Sequence, residues 1–313
     1  MCTYVNSTQS NAKSVCSSDP ELFSAMCMNT LKDKSIVVTG GAAGMGREMV
    51  LALARSGARV TAADVSQAAI DTFSTELHRA GLAEYVHFEC LDLCVESSAE
   101  QLISRAVGKF GPVYALVNNA GIGRATVKPD FFKSPPKFWE MTSPQWERFV
   151  AINASAVFRT MRAVSAGMLE RGCGRIVNVT TSIDSMLSGG AVGYGPSKSA
   201  AESLSAVAAN DFRGTGVTVN VLIPGGPVGT AMIPDDAPIA KESLLKANCM
   251  NAPLLWLLSD EAAETTALRI TAHRWPEGVT GEEGIRLAGA PIAWTQLTGQ
   301  IRKAQMTTTE DVK

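Results

Sequence analysis

A tyrosine and a lysine stand four positions apart in the stretch YGPSK, at Tyr194 and Lys198. This spacing is slightly more than one helical turn, so the two side chains would share a helix face. A phenol has an unperturbed pKa of about 10, and a nearby ammonium lowers that pKa because it favours the phenolate. The pair could therefore exchange a proton with a substrate near neutral pH.

The residues between them constrain where this helix can begin. Gly195 and Pro196 are poor residues for a helix interior. Proline is tolerated in the first helical turn, where the amide groups have no intrahelical partner. The sequence therefore predicts a helix that begins around the pair and continues through 197–213. The alternative interpretation is that Tyr194 only packs and Lys198 is only a solvated surface charge.

A second candidate site is the glycine-rich stretch TGGAAGMG, which follows an apolar run and precedes a helical one. Its glycines, Gly40, Gly44 and Gly46, do not have the commoner G-x-G-x-x-G spacing. They would still let the backbone turn sharply and bring a pyrophosphate to a helix N-terminus. A glycine-rich turn without a ligand is the alternative.

Asp64 ends the second predicted strand. A carboxylate there could accept hydrogen bonds from both hydroxyls of an adenosine ribose, and it would repel a 2′-phosphate. Arg47 is the nearby residue that could hold such a phosphate, so both NAD and NADP remain open, with NAD favoured. Asp64 could instead be a solvated strand end or helix cap.

These residues require a scaffold of alternating strands and helices. Apolar runs rich in Val and Ile predict buried strands at 35–39, 58–63, 85–89, 113–117, 175–179 and 217–222. Helical patterns lie between them at 45–56, 67–80, 97–109, 144–171 and 197–213. This alternation is typical of βαβ units around a parallel sheet. The segment 128–146 interrupts it and is predicted to be an ordered surface loop with a packed underside.

Composition limits the class of protein. The 313 residues are 46% hydrophobic and carry a net charge of −2, which gives no electrostatic reason to expect nucleic acid or membrane partners. The seven cysteines are dispersed and include no CxxC pair, and there are only three histidines. These residues argue against a zinc site and for reduced thiols in the cytoplasm.

We predict one domain at 31–300, between polar tails at 1–30 and 301–313. The first tail is expected to be flexible, with a targeting peptide as the alternative.

An ordered set of short motifs completes the pattern. LDL at 91–93, NNAG at 118–121, Asn153 and PGGPVGT at 224–230 follow the glycine turn in order, with YGPSK before the last of them. Across roughly residues 31–260 the sequence resembles the short-chain dehydrogenase/reductase family. The resemblance implies an α/β, doubly wound, mostly parallel, Rossmann-like sheet that binds NAD or NADP.

The resemblance also implies roles for individual residues. Tyr194 would be the general acid–base, Lys198 would orient the cofactor ribose, and Asn153 would hold a water that relays protons. The implied cofactor-binding residues are Gly40, Gly44, Met45, Gly46, Asp64, Asp92, Leu93, Asn119, Ala120, Gly121, Tyr194, Lys198, Val228 and Thr230.

The hydroxyl that polarises the substrate is left open by the sequence. The family usually has a serine thirteen residues before its tyrosine, which counts back to Thr181 here, with Ser182 one residue closer. A regular strand favours Thr181, whereas a bend or bulge would present Ser182. Ser185 is a third candidate.

We therefore expect an oxidoreductase that transfers a hydride between a nicotinamide cofactor and a carbonyl or secondary alcohol. The alternatives are an NADP-dependent ketoreductase of the same fold and a non-catalytic, nucleotide-sensing protein. A homo-oligomer, either tetramer or dimer, is expected from the family's paired long helices. The predicted pocket residues indicate a small apolar or cyclic substrate: Phe131, Phe132, Phe138, Trp139, Met186, Met232 and Ile233.

Overall fold

A single sheet runs through the protein in its computed structural model, which describes residues 31–234, 236–279 and 281–298. Both predicted tails lie outside the described residues. The described strands are β1 (Ser35–Thr39), β2 (Arg59–Asp64), β3 (Val86–Cys90), β4 (Ala115–Asn118), β5 (Gly174–Val179), β6 (Val217–Ile223), β7 (Leu268–Thr271) and β8 (Gly289–Pro291). Their order across the sheet is β3-β2-β1-β4-β5-β6-β7-β8.

The strand order creates a crevice at one edge of the sheet. Strands β1 to β7 pair in parallel, and only β8 pairs antiparallel with its neighbour β7. The chain moves outward from β1 to β3 and then returns to the other side of β1 at β4. At such a reversal the connections leave in opposite directions, which opens a ligand crevice beyond the carboxyl ends of the strands.

Helices cover both faces of the sheet. They are α1 (Gly44–Arg55), α2 (Gln67–Arg79), α3 (Ser98–Phe110), α4 (Ser143–Val150), α5 (Ala156–Arg171), α6 (Ile183–Leu187), α7 (Tyr194–Asp211), α8 (Asn251–Leu258) and α9 (Gly281–Ala288). One buried cluster joins α1, α2 and α8 to the sheet, and a second joins α3, α5 and α7 to its other face. The doubly wound, mostly parallel Rossmann-like fold predicted from the sequence is therefore confirmed.

The structure departs from the predicted elements in two places. Strands β7 and β8 were not predicted, because they are short and β7 carries a charged residue, Arg269. The predicted helix 144–171 is interrupted by one π-helical turn, Ala151–Ser155, between α4 and α5. Among the described residues no helix is long and apolar enough to cross a bilayer.

Candidate active site

Helix α7 begins at Tyr194, as the sequence predicts, and Pro196 lies within its first turn. The glycine between Tyr194 and Pro196 has a packing reason. A Cβ on Gly195 would lie 2.1 Å from the carbonyl oxygen of Met186, so the helix start can approach α6 only without a side chain there. Tyr194 is thus held where α6, α7 and the end of β5 converge.

Lys198 lies one turn further along α7 and is buried, with only 4% of its surface exposed. Its Nζ donates a hydrogen bond to the carbonyl oxygen of Val179, the last residue of β5, at 3.0 Å. Because burial removes water from the ammonium, the pKa of Lys198 is lowered to about 8. This ammonium is a fixed part of the site and not a solvated surface charge.

Asn153 occupies the π-helical turn between α4 and α5 and is fully buried. Its Oδ1 accepts a hydrogen bond from the backbone N–H of Ile122 at 2.9 Å, and its Nδ2 donates to the Ile122 carbonyl oxygen at 3.1 Å and to Ser197 Oγ at 3.0 Å. A Cβ on Gly121 would lie 2.9 Å from Asn153 Oδ1 and 3.1 Å from Lys198 Nζ. The structure therefore brings Asn153, Gly121 and Lys198 together.

The environment of the Tyr194 phenol differs from the expectation. Burial raises the pKa of Tyr194, because it disfavours the phenolate; a hydrogen bond with Thr181 and the charge of Arg124 act in the opposite direction. The net pKa shift of Tyr194 is therefore upward in the protein without a cofactor, opposite to the lowering expected from the Tyr–Lys spacing, and the Arg124 guanidinium is a cation that acts against this rise.

The three hydroxyls that follow β5 have different surroundings. Thr181 faces Tyr194, whereas Thr180 Oγ1 donates to Glu202 Oε2 at 2.8 Å. Ser182 caps α6: its Oγ accepts from the Ser185 backbone N–H at 3.1 Å and donates to Ser185 Oγ at 2.9 Å. Strand β5 ends at Val179, and the Ser182 hydroxyl is engaged within the first turn of α6.

A buried ion pair contacts the backbone of Thr181. Glu202, on α7, accepts a hydrogen bond from Arg269 of β7, and both side chains are almost fully buried. Arg269 NH2 also donates to the Thr181 carbonyl oxygen at 2.6 Å, while Glu202 Oε1 accepts from the backbone N–H of Ala293 at 3.2 Å. The pair links α7, the end of β5 and the segment after β8.

Tyr194, Lys198, Thr181, Ser182 and Ser185 line a cavity of about 330 Å³. Four of the seven apolar residues expected there contribute to its lining, namely Phe131, Phe132, Met232 and Ile233. The other three do not. Phe138 and Met186 line a separate surface groove, and Trp139 is 81% exposed. That part of the expected lining is therefore wrong: Met186 is buried on α6, and Phe138 and Trp139 lie in the short helical turn Phe138–Glu140 outside the cavity.

A second cavity of about 480 Å³ adjoins the first, and the lining residues that the two share are Met45, Asn119, Gly121, Gly123, Thr230 and Met232. The second cavity is lined by the predicted cofactor residues Gly40, Gly44, Met45, Gly46, Asp64, Asp92, Leu93, Asn119, Ala120, Gly121 and Thr230. Val228 lines the first cavity and is buried, with its backbone bridged to Leu245. The two cavities together form an elongated crevice.

The residues of the second cavity fit a dinucleotide. A Cβ on Gly46 would lie 1.9 Å from the carbonyl oxygen of Gly40, so the turn before α1 can close only around glycine. No side chain caps α1, which leaves its first N–H groups directed at the cavity for an anion. Asp64 accepts hydrogen bonds from the N–H groups of Ala42 and Ser66, both at 3.1 Å, and its carboxylate lines the cavity.

Arg47, the candidate for holding a 2′-phosphate, is engaged elsewhere. Its guanidinium pairs with Glu48 and Glu76 and lies over the ring of Phe73, 5.2 Å from the centroid. The hydrogen bond to Glu76 raises the pKa of Arg47 despite some desolvation. Arg47 is absent from the lining of both cavities.

Sequence reasoning missed three charged residues of this region: Arg124, Glu202 and Arg269. Glu202 could have been found from the sequence, because it follows Tyr194 and Lys198 at the same four-residue spacing and so shares their buried helix face. Arg124 and Arg269 carried no such signal. Within the described ranges, no group of three or more His, Cys, Asp or Glu side chains could hold a metal ion.

A doubly wound sheet whose crevice holds a glycine turn at one end and a Tyr–Lys helix face at the other is typical of a class of oxidoreductases. Comparison with known proteins agrees. A family model described as short chain dehydrogenase matches residues 34–238. The chain belongs to this short-chain dehydrogenase family.

Several relatives act on ring compounds according to their names. The chain is 30% identical over 261 residues to 2,5-dichloro-2,5-cyclohexadiene-1,4-diol dehydrogenase LinX of Sphingobium indicum, covering 80% of this chain and 99% of the relative. It is 31% identical over 247 residues to cyclopentanol dehydrogenase of Comamonas sp., covering 75% and 94%. The crystal structure of levodione reductase superposes with a TM-score of 0.68 at 24% identity, covering 81% of this chain and 98% of that one, and supports the fold.

Proposed function

We propose that the protein transfers a hydride between a nicotinamide cofactor and the carbon of a ring ketone or secondary alcohol. One observation carries the proposal: Tyr194 and Thr181 face each other in a cavity that continues into a dinucleotide-shaped crevice. A bound nicotinamide dinucleotide would supply or accept the hydride. Proton transfer, polarisation of the substrate oxygen and binding of the cofactor would be carried out by the protein's own side chains.

The proton is handled by Tyr194. In ketone reduction the neutral phenol donates its proton to the substrate oxygen as the carbon gains the hydride. In alcohol oxidation the phenolate accepts the hydroxyl proton as the hydride leaves. The raised pKa of Tyr194 keeps the phenol protonated before the cofactor binds, which suits the reductive direction.

Thr181 is the residue we assign to polarise the substrate oxygen. Its hydroxyl meets Tyr194, whereas Ser182 is engaged in the cap of α6. A donor already aimed at the oxygen stabilises the charge that develops there. Lys198 is buried beside Gly121 and hydrogen-bonded to the Val179 carbonyl oxygen, and in this proposal it would bind a ribose hydroxyl while Asn153 supports its proton exchange.

NAD is the proposed cofactor. The Asp64 carboxylate lines the crevice and would repel a 2′-phosphate, while Arg47 is paired with Glu48 and Glu76. A 2′-phosphate beside Asp64 would meet its carboxylate, and the guanidinium of Arg47 is already paired with two others. The alternative of an NADP-dependent ketoreductase would require Arg47 to leave both partners.

A cyclic substrate is proposed from two sources. The cavity is lined by Phe131, Phe132 and Met232, which would pack on a ring. Two relatives are named for a cyclohexadiene diol and for cyclopentanol. Both sources are consistent with a compact alicyclic skeleton that carries the reacting oxygen.

The test is turnover of ring alcohols and ketones with NAD(H) by wild type and by Tyr194→Phe. Loss of the proton donor should lower kcat about a hundredfold to ten-thousandfold. NADH binding, followed by fluorescence, should remain measurable in the variant, because the glycine turn and Asp64 that line the crevice are unchanged. Cofactor binding without turnover of any ring substrate by wild type would instead favour a nucleotide-sensing protein.

We also propose a homo-oligomer in the cytoplasm. The outward stripes of α5 and α7 expose apolar side chains, including Phe158 at 45% and Val207 at 55%. Such stripes on neighbouring long helices would be covered by a second copy. Sedimentation showing only monomer at micromolar concentration would reject the oligomer.

The cytoplasmic location is proposed from the cysteines. The four described cysteines, at 90, 94, 173 and 249, are free thiols, which suits a reducing compartment.

A further inference from the structure

Arg124 is a cation inside the substrate cavity and is not used by the proposed chemistry. It follows β4 by six residues, within the short turn Arg124–Thr126. Its side chain lines the cavity that contains Tyr194 and Thr181 but not the neighbouring crevice predicted to hold the dinucleotide. Its charge acts on the Tyr194 phenol, which places it beside the reacting end of the cavity.

The guanidinium is held by aromatic rings. Its central carbon lies 4.5 Å from the ring centroid of Phe131 and 5.8 Å from that of Phe132, and the two rings pack on each other with centroids 4.2 Å apart. Phe131 is itself 4% exposed. Rings that contact the face of a guanidinium leave its N–H edge available for a planar acceptor.

Among the described residues no acidic side chain pairs with this cation. Within the described ranges Arg124 forms no ion pair, and no Asp or Glu lines the cavity. Burial lowers the pKa of Arg124, which reflects the unfavourable desolvation of an unpaired charge. A substrate that brought a negative charge would relieve this penalty and would be attracted more strongly in an apolar cavity than in water.

We propose that Arg124 is the anion-binding residue of the substrate cavity, and that the substrate is a ring hydroxy acid or oxo acid whose carboxylate pairs with this guanidinium. The inference rests on the proposed function for the identity of the reacting group. It departs from the neutral ring alcohols for which two relatives are named.

The number of charges favours a carboxylate over a phosphate ester. Arg124 and Lys198 are the two cationic residues among the described cavity lining, and Lys198 is anchored to the Val179 carbonyl oxygen. One uncommitted guanidinium matches the single charge and the two coplanar oxygens of a carboxylate. A phosphate dianion would lack a second partner here.

The test uses unreactive ring probes, so that it does not depend on turnover. Cyclohexanecarboxylate, cyclohexanecarboxamide and cyclohexyl phosphate are titrated by calorimetry into the full-length protein, with and without saturating NADH. Wild type should bind the carboxylate at least roughly tenfold more tightly than the carboxamide, because a charge-assisted hydrogen bond is about twice as strong as a neutral one. Equal binding of these two probes would overturn the proposal even if every variant failed to fold.

Variants then assign the preference to one residue. Arg124→Met should reduce the carboxylate-to-carboxamide ratio to near unity, and Arg124→Lys should retain part of it because the charge remains. Lys133→Met is the matched control. It removes a cation from the same segment that is 56% exposed and paired with Asp236, so the wild-type ratio should persist.

Two outcomes would contradict the assignment. An unchanged ratio in Arg124→Met would show that another group binds the anion, and tighter binding of cyclohexyl phosphate than of the carboxylate would replace the carboxylate with a phosphate. Failure of the oxidoreductase function is distinguishable from both. It would appear as absence of ring-ketone turnover while the probe ratio and its loss in Arg124→Met remain.

Discussion

The carbonyl oxygen of Thr181 accepts a hydrogen bond of 2.6 Å from Arg269 NH2, which reaches it from a strand 88 residues later in the chain. The same guanidinium pairs with Glu202 on α7. The residue proposed to contact the substrate oxygen is thus positioned by a buried ion pair. Arg269 and Glu202 are positioning residues, since neither lines the substrate cavity.

The first prediction concerns this pair. Arg269→Met leaves the Glu202 carboxylate buried without its partner, so the free energy of unfolding in urea should fall by about 3–5 kcal/mol. Because the Thr181 carbonyl oxygen also loses its donor, kcat should fall more than KM rises. Arg162→Met, which breaks an exposed pair with Glu100, is the control and should leave stability nearly unchanged.

Replacing both partners separates stability from positioning. Glu202→Met combined with Arg269→Met should recover much of the lost unfolding free energy, since no charge remains buried. It should not recover kcat, because Thr181 stays without its donor. A double variant with wild-type kcat would show that the pair stabilises the fold without positioning Thr181.

Substitutions of Thr181 and of Ser182 should have different effects on kcat and on stability. Thr181→Val removes the hydroxyl that faces Tyr194, and kcat should fall about a hundredfold or more with little change in stability. Ser182→Ala removes the cap of α6, which should lower the free energy of unfolding by about 1 kcal/mol and leave kcat far less affected. Steady-state kinetics and urea denaturation distinguish them; the reverse pattern would assign the substrate contact to Ser182.

Lys198 should make stability depend on pH. Its pKa of about 8 in the folded protein lies below the ordinary value of 10.5. Between these values the unfolded chain binds more protons than the folded one, so the stability of wild type should rise with pH from about 8 to 10.5. Below that window both states are charged, and the burial penalty, on the order of 3 kcal/mol, is fully present.

Lys198→Met tests this directly. The variant lacks the penalty, so without cofactor it should match or exceed wild type in free energy of unfolding at pH 7. That advantage should shrink as the pH rises through the window. Tyr194 titrates in both proteins and cancels from the difference. A difference between the two proteins that does not vary with pH would contradict the buried, desolvated ammonium.

The pH dependence of catalysis should reflect the pKa of Tyr194 and the effect of the Arg124 charge on that pKa. Alcohol oxidation needs the phenolate, and burial raises the pKa of Tyr194, so kcat/KM for a neutral ring alcohol should increase through the alkaline range. Arg124 lowers this pKa by its charge. Arg124→Met should therefore move the midpoint to higher pH, whereas Lys133→Met should not; a midpoint that stays or falls in Arg124→Met would contradict the contact.

Cofactor choice should follow Asp64. Wild type should prefer NAD over NADP by at least tenfold in kcat/KM, roughly 1.4 kcal/mol. Asp64→Ala removes the carboxylate that repels a 2′-phosphate and should narrow that preference. Asp71→Ala, an exposed carboxylate on α2 that hydrogen-bonds Gln67, should not change it. Equal efficiency of wild type with both cofactors would reject this role for Asp64.

Much of the framework could be predicted because its signals are local. Strands β1 to β6 are short runs rich in Val, Ile and Ala, and the predicted cofactor residues follow those strands or begin the next helix, where the fold must bring them together. Strand β7 gave no such signal, because four residues with a central Arg269 resemble a surface segment. Its burial makes sense only beside Glu202, 67 positions earlier, and no local pattern contains that pairing.

The same reason explains Arg124 and the Tyr194 pKa. The one-turn spacing shows that Lys198 is near the phenol, but not how completely each is removed from water. Whether a residue after a strand turns inward depends on the rings it packs on, here Phe131 and Phe132. Desolvation and inward orientation are properties of the assembled crevice, so they had to be read from the structure.

The π-helical turn Ala151–Ser155 holds one residue more than an α-helical turn, because its hydrogen bonds join residues five positions apart. Asn153 lies in this turn, where its amide meets the Ile122 backbone and Ser197. Deleting one residue would let the segment close as ordinary α-helix, so α4 and α5 would keep their packing while the position of Asn153 is lost. A one-residue shortening at this point should therefore leave the fold intact and remove only the amide that the extra residue presents.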